Sequence, residues 1–142
     1  MASRVEEQNR TLASDYVEAW NEHSLEKVMR LHADESVFKV HMAGAPEARG
    51  SEECRAAFGF LLEAWPDQQF DIQEIVAHDG GYVCRSILTG TLAKPWNLGG
   101  TVVEPRGQRV SFGILDVMTC REGLIVRKEV WLDGGAMMAA LM

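Results

Sequence analysis

The hydrophobic pattern of the chain changes period once, close to residue 65, and the change separates two kinds of structure. Before it, apolar positions recur every three to four residues, as on one face of a helix. Val5, Leu12, Ala13, Tyr16, Val17 and Trp20 form the first stripe, and Ser3 followed by Glu6 is a capping box that opens it. This predicts a helix reaching about Asn21. Ser24 caps a short second helix, with Leu25, Val28, Met29 and His32 on one side. Ser36 to Met42 reads as a strand, followed by an Ala-Gly-Ala-Pro loop. Ser51 caps a third helix with Glu52 and Glu53 in its first turn, where a helix favours negative charge. Phe58, Leu61, Leu62 and Trp65 make its buried face, and Pro66 stops it.

Beyond Pro66 the pattern alternates. Gln69 to Ala77, Tyr82 to Leu92, Thr101 to Val103 joined to Arg109 to Cys120, and Leu124 to Leu132 read as strands. Asp79-Gly80-Gly81 and Arg121-Glu122-Gly123 are turns, and Ala93 to Gly100 is a longer loop. Helices first and antiparallel strands afterwards predict one α+β domain over residues 1–142, with a curved sheet covered by three N-terminal helices. A pocket lies between them, walled by the Tyr16/Trp20 stripe and the inner face of the last hairpin.

That hairpin carries the candidate chemistry. A three-residue loop with Gly123 in its last position sets Cys120 opposite Leu124, Met118 opposite Val126, Asp116 opposite Lys128 and Ile114 opposite Val130. Asp116 and Lys128 then share a face that is otherwise apolar, where a charge is costly unless it is paired or used. The other face holds Leu115, Val117, Ile125 and Trp131, an apolar surface that needs a cover.

Charge and composition remove several classes. The formal net charge of −7, spread along the chain, argues against nucleic-acid binding, which needs clustered Lys and Arg. No apolar run approaches a membrane span, and the polar N-terminus is not a secretory signal, so a cytoplasmic protein is expected. Cys54, Cys84 and Cys120 have no C-x-x-C spacing and read as free thiols. No histidines or carboxylates have metal-ligand spacing, so no metal is expected.

Tyr16-Val-Glu-Ala-Trp-Asn21, Ser24-Leu25, Ala33-Asp34-Glu35 with Val37-Phe38, Arg49-Gly50, Gly113-Ile-Leu-Asp-Val and Gly123-Leu-Ile-Val together resemble a known pattern. It is the SnoaL-like and ketosteroid-isomerase-like branch of the nuclear transport factor 2-like superfamily, and the resemblance covers about residues 8–140. It implies a cone-shaped α+β barrel with an apolar pocket for flat, ring-containing small molecules such as polyketides or steroids. The activities implied are isomerisation, cyclisation or dehydration of a carbonyl compound without a cofactor, or ligand binding without catalysis. It implies an oxyanion hole of Tyr16 and a protonated Asp116. It also implies a homodimer through the outer sheet face.

Two proton-transfer positions of such relatives are filled by valine here: Val40 on the first strand and Val130 on the last. His41, beside Val40, serves as a base only if a bulge turns it inward; otherwise it faces solvent. Lys128 falls where cyclases of this type keep a pocket histidine. It is open between a structural ion pair with Asp116, a cation for an anionic or enolate oxygen, and a Schiff-base amine. Tyr16 and Asp116 are likewise open between core and catalytic roles. Trp20, Val40, Phe60, Trp96, Ile114, Met118 and Val130 are expected to line the pocket, with Trp96 as a lid. His23, His32 and His78 have no assigned role.

Overall fold

A computed structural model describes residues 1–142. Helix α1 (Arg4–Asn21) begins where the capping box places it, with the Ser3 hydroxyl accepting from the Glu6 amide at 3.0 Å. Its inward stripe of Leu12, Ala13, Tyr16, Val17 and Trp20 is buried, whereas Val5 in the first turn is exposed. Asn21 ends the helix by clamping the Phe70 backbone, accepting from its amide at 2.7 Å and donating to its carbonyl at 3.0 Å.

Helix α2 (Leu25–Arg30) is capped by Ser24 as expected, but it stops short of His32. That residue instead opens strand β1 (His32–Val40), four residues before the expected start. The polar run Ala33-Asp34-Glu35 hides the alternation, yet His32, Ser36 and Phe38 all turn inward and are buried. Strand β2 (Ala48–Arg49) is a short edge that leads into helix α3 (Gly50–Ala64). Arg49, not Ser51, occupies the cap position of α3, and its amide is taken by the Glu53 carboxylate at 3.0 Å. Gly50, at φ +85°, supplies the left-handed turn from strand to helix.

Strands β3 (Gln69–His78) and β4 (Gly81–Thr91) form a hairpin. The expected loop before Gly100 contains a strand, β5 (Trp96–Leu98), paired with β6 (Thr101–Val103) in a separate two-stranded ribbon. Strand β6 is therefore not continuous with β7 (Arg109–Arg121), because Pro105, lacking an N–H, and Gly107 at φ +78° break the run between them. Strand β8 (Leu124–Leu132) completes the sheet in the order β2-β1-β8-β7-β4-β3. All neighbours are antiparallel except β1 and β8. The sheet curls without closing, as a cone with α1 and α3 against it. A fourth helix, α4 (Gly134–Leu141), follows with Asp133 as its cap and Met137 and Leu141 buried. Its Gly, Ala, Met and Leu show no polar face from which to read a helical period.

The last hairpin differs from expectation in register. Its loop has two residues, Glu122 at φ +54° and Gly123 at φ +78°, so Arg121 pairs with Leu124 and Cys120 with Ile125. Val126 is then left over as a bulge, and pairing resumes with Thr119 opposite Arg127. Asp116 consequently faces Val130, Met118 faces Lys128 and Ile114 faces Leu132, two residues from the expected partners. An even offset preserves the face, so Asp116 and Lys128 remain on the inner side as diagonal neighbours. The two-residue loop, by pairing Ile125 with Cys120, turns Ile125 inward, where it is fully buried, rather than onto the outer face.

Candidate active site

Between α3, α4 and the concave face lies a cavity of about 240 Å³. Trp20 of α1, Phe38 and Val40 of β1, Phe60, Leu61 and Trp65 of α3, and Phe70 of β3 form one side. Phe112, Ile114, Val130, Leu132 and Met137 form the other. Trp96 of β5 completes the wall, stacked on Phe60 at 6.0 Å between ring centroids and edge-on to Trp65 at 5.3 Å. Among all the lining residues only Asp116 and Lys128 carry charge.

Both charged residues are nearly sealed, at 6% and 5% exposure, and no ion pair joins them. The diagonal register explains the gap, because each stands opposite an apolar residue instead of the other. Asp116 makes no hydrogen bond, and its Oδ1 is buried without a partner. Burial pushes its carboxyl above the ordinary range, against the pull of the Lys128 charge. Lys128 sits in an aromatic box. Its Nζ is 4.7 Å from the ring centres of Tyr16 and Trp20, 5.4 Å from Phe58 and 5.5 Å from Phe38. Burial pulls the amine down from its ordinary value, opposed by Asp116. Each group is thus displaced towards its neutral form.

Behind Lys128 runs a buried chain of polar groups. Lys128 Nζ donates to the Tyr16 hydroxyl at 3.1 Å, that hydroxyl meets His32 Nε2 at 2.8 Å, and His32 Nδ1 meets Ser36 Oγ at 2.7 Å. Burial first, and the Lys128 charge second, hold His32 at a pKa of about 3, so the ring is neutral. Burial raises the Tyr16 phenol well above its ordinary value. The Tyr16 hydroxyl is engaged by Lys128 and His32 and does not line the cavity. Lys128 of β8, and not Tyr16 of α1, lines the cavity beside Asp116.

The other expected positions divide cleanly. Trp20, Val40, Phe60, Trp96, Ile114 and Val130 line the cavity, while Met118 lies behind the wall, fully buried opposite Tyr82 and Lys128. His41 is on the other face. Strand alternation points Val40 inward and His41 outward, where its ring stacks on Trp131 at 3.9 Å and bonds Glu129 at 3.0 Å. No bulge turns it towards the cavity, and it does not line it. The sequence pattern missed His32 and Ser36. Extending the inward parity of Phe38 and Val40 back through Ser36 to His32 is the signal that could have found them.

A family model described as a SnoaL-like domain matches residues 13–128. Among solved structures, a candidate SnoaL-like polyketide cyclase from Jannaschia sp. CCS1 superposes with a TM-score of 0.82 at 21% identity, covering 99% of this chain and 96% of that one. IdmH, a candidate polyketide cyclase from Streptomyces antibioticus, gives 0.73 at 24% identity, covering 94% and 98%. An LEH-like epoxide hydrolase from M. tuberculosis gives 0.73 at 14% identity, covering 96% and 90%. At these identities the structures share the fold. No curated protein matches the chain.

Proposed function

The chain belongs to the SnoaL-like domain family, and from that premise we propose that its cavity is the active site of a cofactor-independent isomerase, cyclase or dehydratase. The substrate is a compact, ring-containing carbonyl compound of polyketide or steroid type. Aromatic and aliphatic walls take the rings, and 240 Å³ is small beside the roughly 300–1,000 Å³ of drug-sized pockets. The carbonyl oxygen goes to the inner end, where Lys128 and Asp116 are the only groups able to answer a developing charge. One observation carries this reading: Asp116 has no partner within the protein, although it is buried beside a buried lysine. A carboxyl left that way costs free energy unless a ligand completes it.

The chemistry follows from one proton held between two groups. As ammonium and carboxylate, Lys128 donates to the carbonyl oxygen and Asp116 accepts a proton from the carbon beside it. As amine and acid, the pair holds the same number of protons, so it titrates as a unit. With Val40 and Val130 in the wall and His41 outside it, no other titrating side chain reaches the cavity. Those valines favour a second reading, a ligand-binding domain that kept the pocket without catalysis.

Titration with 2-naphthol, whose hydroxyl imitates an enolate oxygen, tests the site. Asp116→Asn and Lys128→Met are each expected to weaken binding at least tenfold, about 1.4 kcal/mol. Unchanged affinity in both variants removes the pair from any binding site. Turnover of a carbonyl compound separates the first reading from the second. We also propose that the chain pairs with a second copy through its outer sheet face, where Val76, Ile87 and Trp131 are exposed.

A further inference from the structure

The four lysines of the chain are not equivalent. Lys27 is an exposed partner of Glu22, Lys94 is exposed, and the Lys39 amine donates to the Ala45 carbonyl. Only Lys128 brings its amine, without a carboxylate partner, to the wall of a cavity that also holds an unpartnered carboxyl. We infer that the Lys128 amine adds to the carbonyl carbon of an aldehyde or ketone held in the cavity and forms an iminium there. The inference rests on the proposed placement of the carbonyl beside Lys128 and Asp116.

Three features of the site fit that chemistry. Lys128 is the donor in its bond to Tyr16, so the nitrogen lone pair is not spent on the phenol. The box of Tyr16, Trp20, Phe38 and Phe58 stabilises whatever cation the nitrogen carries, and an iminium is one. It is less demanding of hydration than a compact ammonium, which suits a dry site. Third, Asp116 stands where an acid is required. In the reaction the lone pair forms the N–C bond and an N–H proton passes to the former carbonyl oxygen. Asp116 then gives its carboxyl proton to that oxygen, the C–O bond breaks and water leaves. A neutral amine and acid become an iminium and a carboxylate, with no other reactant consumed. The carboxylate so formed is the base that Val40 and Val130 do not provide, and removing a proton beside the iminium gives an enamine.

Benzoylacetone, an aryl 1,3-diketone, tests this because its adduct with an amine is a stable enaminone with its own ultraviolet absorption. The wild-type chain is expected to gain one probe mass less one water, mapped by peptide mass spectrometry to Lys128, together with the new absorption. Lys128→Met is expected to lose both. Mapping on the wild-type protein keeps the test valid even if that variant folds poorly. 2-Naphthol cannot form an imine and reports the non-covalent site separately. Naphthol binding that depends on Lys128, with no adduct or with adducts only on Lys27, Lys39, Lys94 or the N-terminus, overturns the covalent step and leaves the proposed site standing. Failure of both probes overturns both.

Discussion

At the scale of single residues, the cavity is defined by polar groups whose partners are incomplete or unusual. Asp116 and Lys128 are legible in the sequence because alternation puts two charges on an apolar face, and such a placement demands an explanation. His32 is not legible in the same way, since its helical spacing from Val28 and Met29 assigns it to the second helix rather than to β1. The structure makes it a neutral, buried link between Tyr16 and Ser36. Its folded pKa, about 3, lies below the ordinary 6.5, so the unfolded chain binds the proton more readily. The stability this gives is complete above pH 6.5 and is lost as pH falls from there towards 3. By pH 4.5 the loss is about 3 kcal/mol, from two units of pH below the unfolded pKa. Urea unfolding at pH 7 and 4.5 is expected to show a difference smaller by roughly that amount in His32→Gln. Equal differences in the two proteins would mean that His32 protonates in the folded state as freely as in the unfolded one.

At the scale of elements, the period of the pattern decided most of the fold. Caps at Ser3 and Ser24 and the four long strands could be read because apolar spacing and turn residues agreed there. A bulge at Val126 could not, because it adds one residue without disturbing the apolar count; with the two-residue loop it moved the partners beyond it by two. Helix α4 escaped because its sequence lacks a polar side, and β5 because it has three residues inside a Pro/Gly-rich stretch; β6 was legible, but as part of β7. How the elements join depends on few contacts. Asn21 fixes the end of α1 to β3 through both backbone groups of Phe70. Asn21→Ala strands a strand amide and is expected to cost about 1–3 kcal/mol in urea unfolding. A change under a few tenths would show that water replaces both bonds.

For the whole molecule, the same sheet faces two environments. Its concave side builds the cavity with α1, α3 and α4, while the convex side carries Val76, Ile87 and Trp131 among charged pairs such as Arg85–Glu74 and Arg127–Glu129. No helix is long and apolar enough to cross a membrane. Trp131, 41% exposed and stacked on His41, is central to the proposed contact between copies. Sedimentation is expected to give a dimer for the wild-type chain and a monomer for Trp131→Glu; a wild-type monomer at micromolar concentration contradicts the contact. On the concave side, the proposed cavity receives an oxygen-bearing ring compound at Asp116 and Lys128. A crystal structure of the chain soaked with 2-naphthol measures this most directly. The rings are expected between Phe60, Trp96 and Phe112, with the hydroxyl within hydrogen-bond reach, about 3 Å, of Lys128 Nζ and the Asp116 carboxyl. Naphthol bound with its hydroxyl at the cavity mouth, or only on the outer surface, would contradict it.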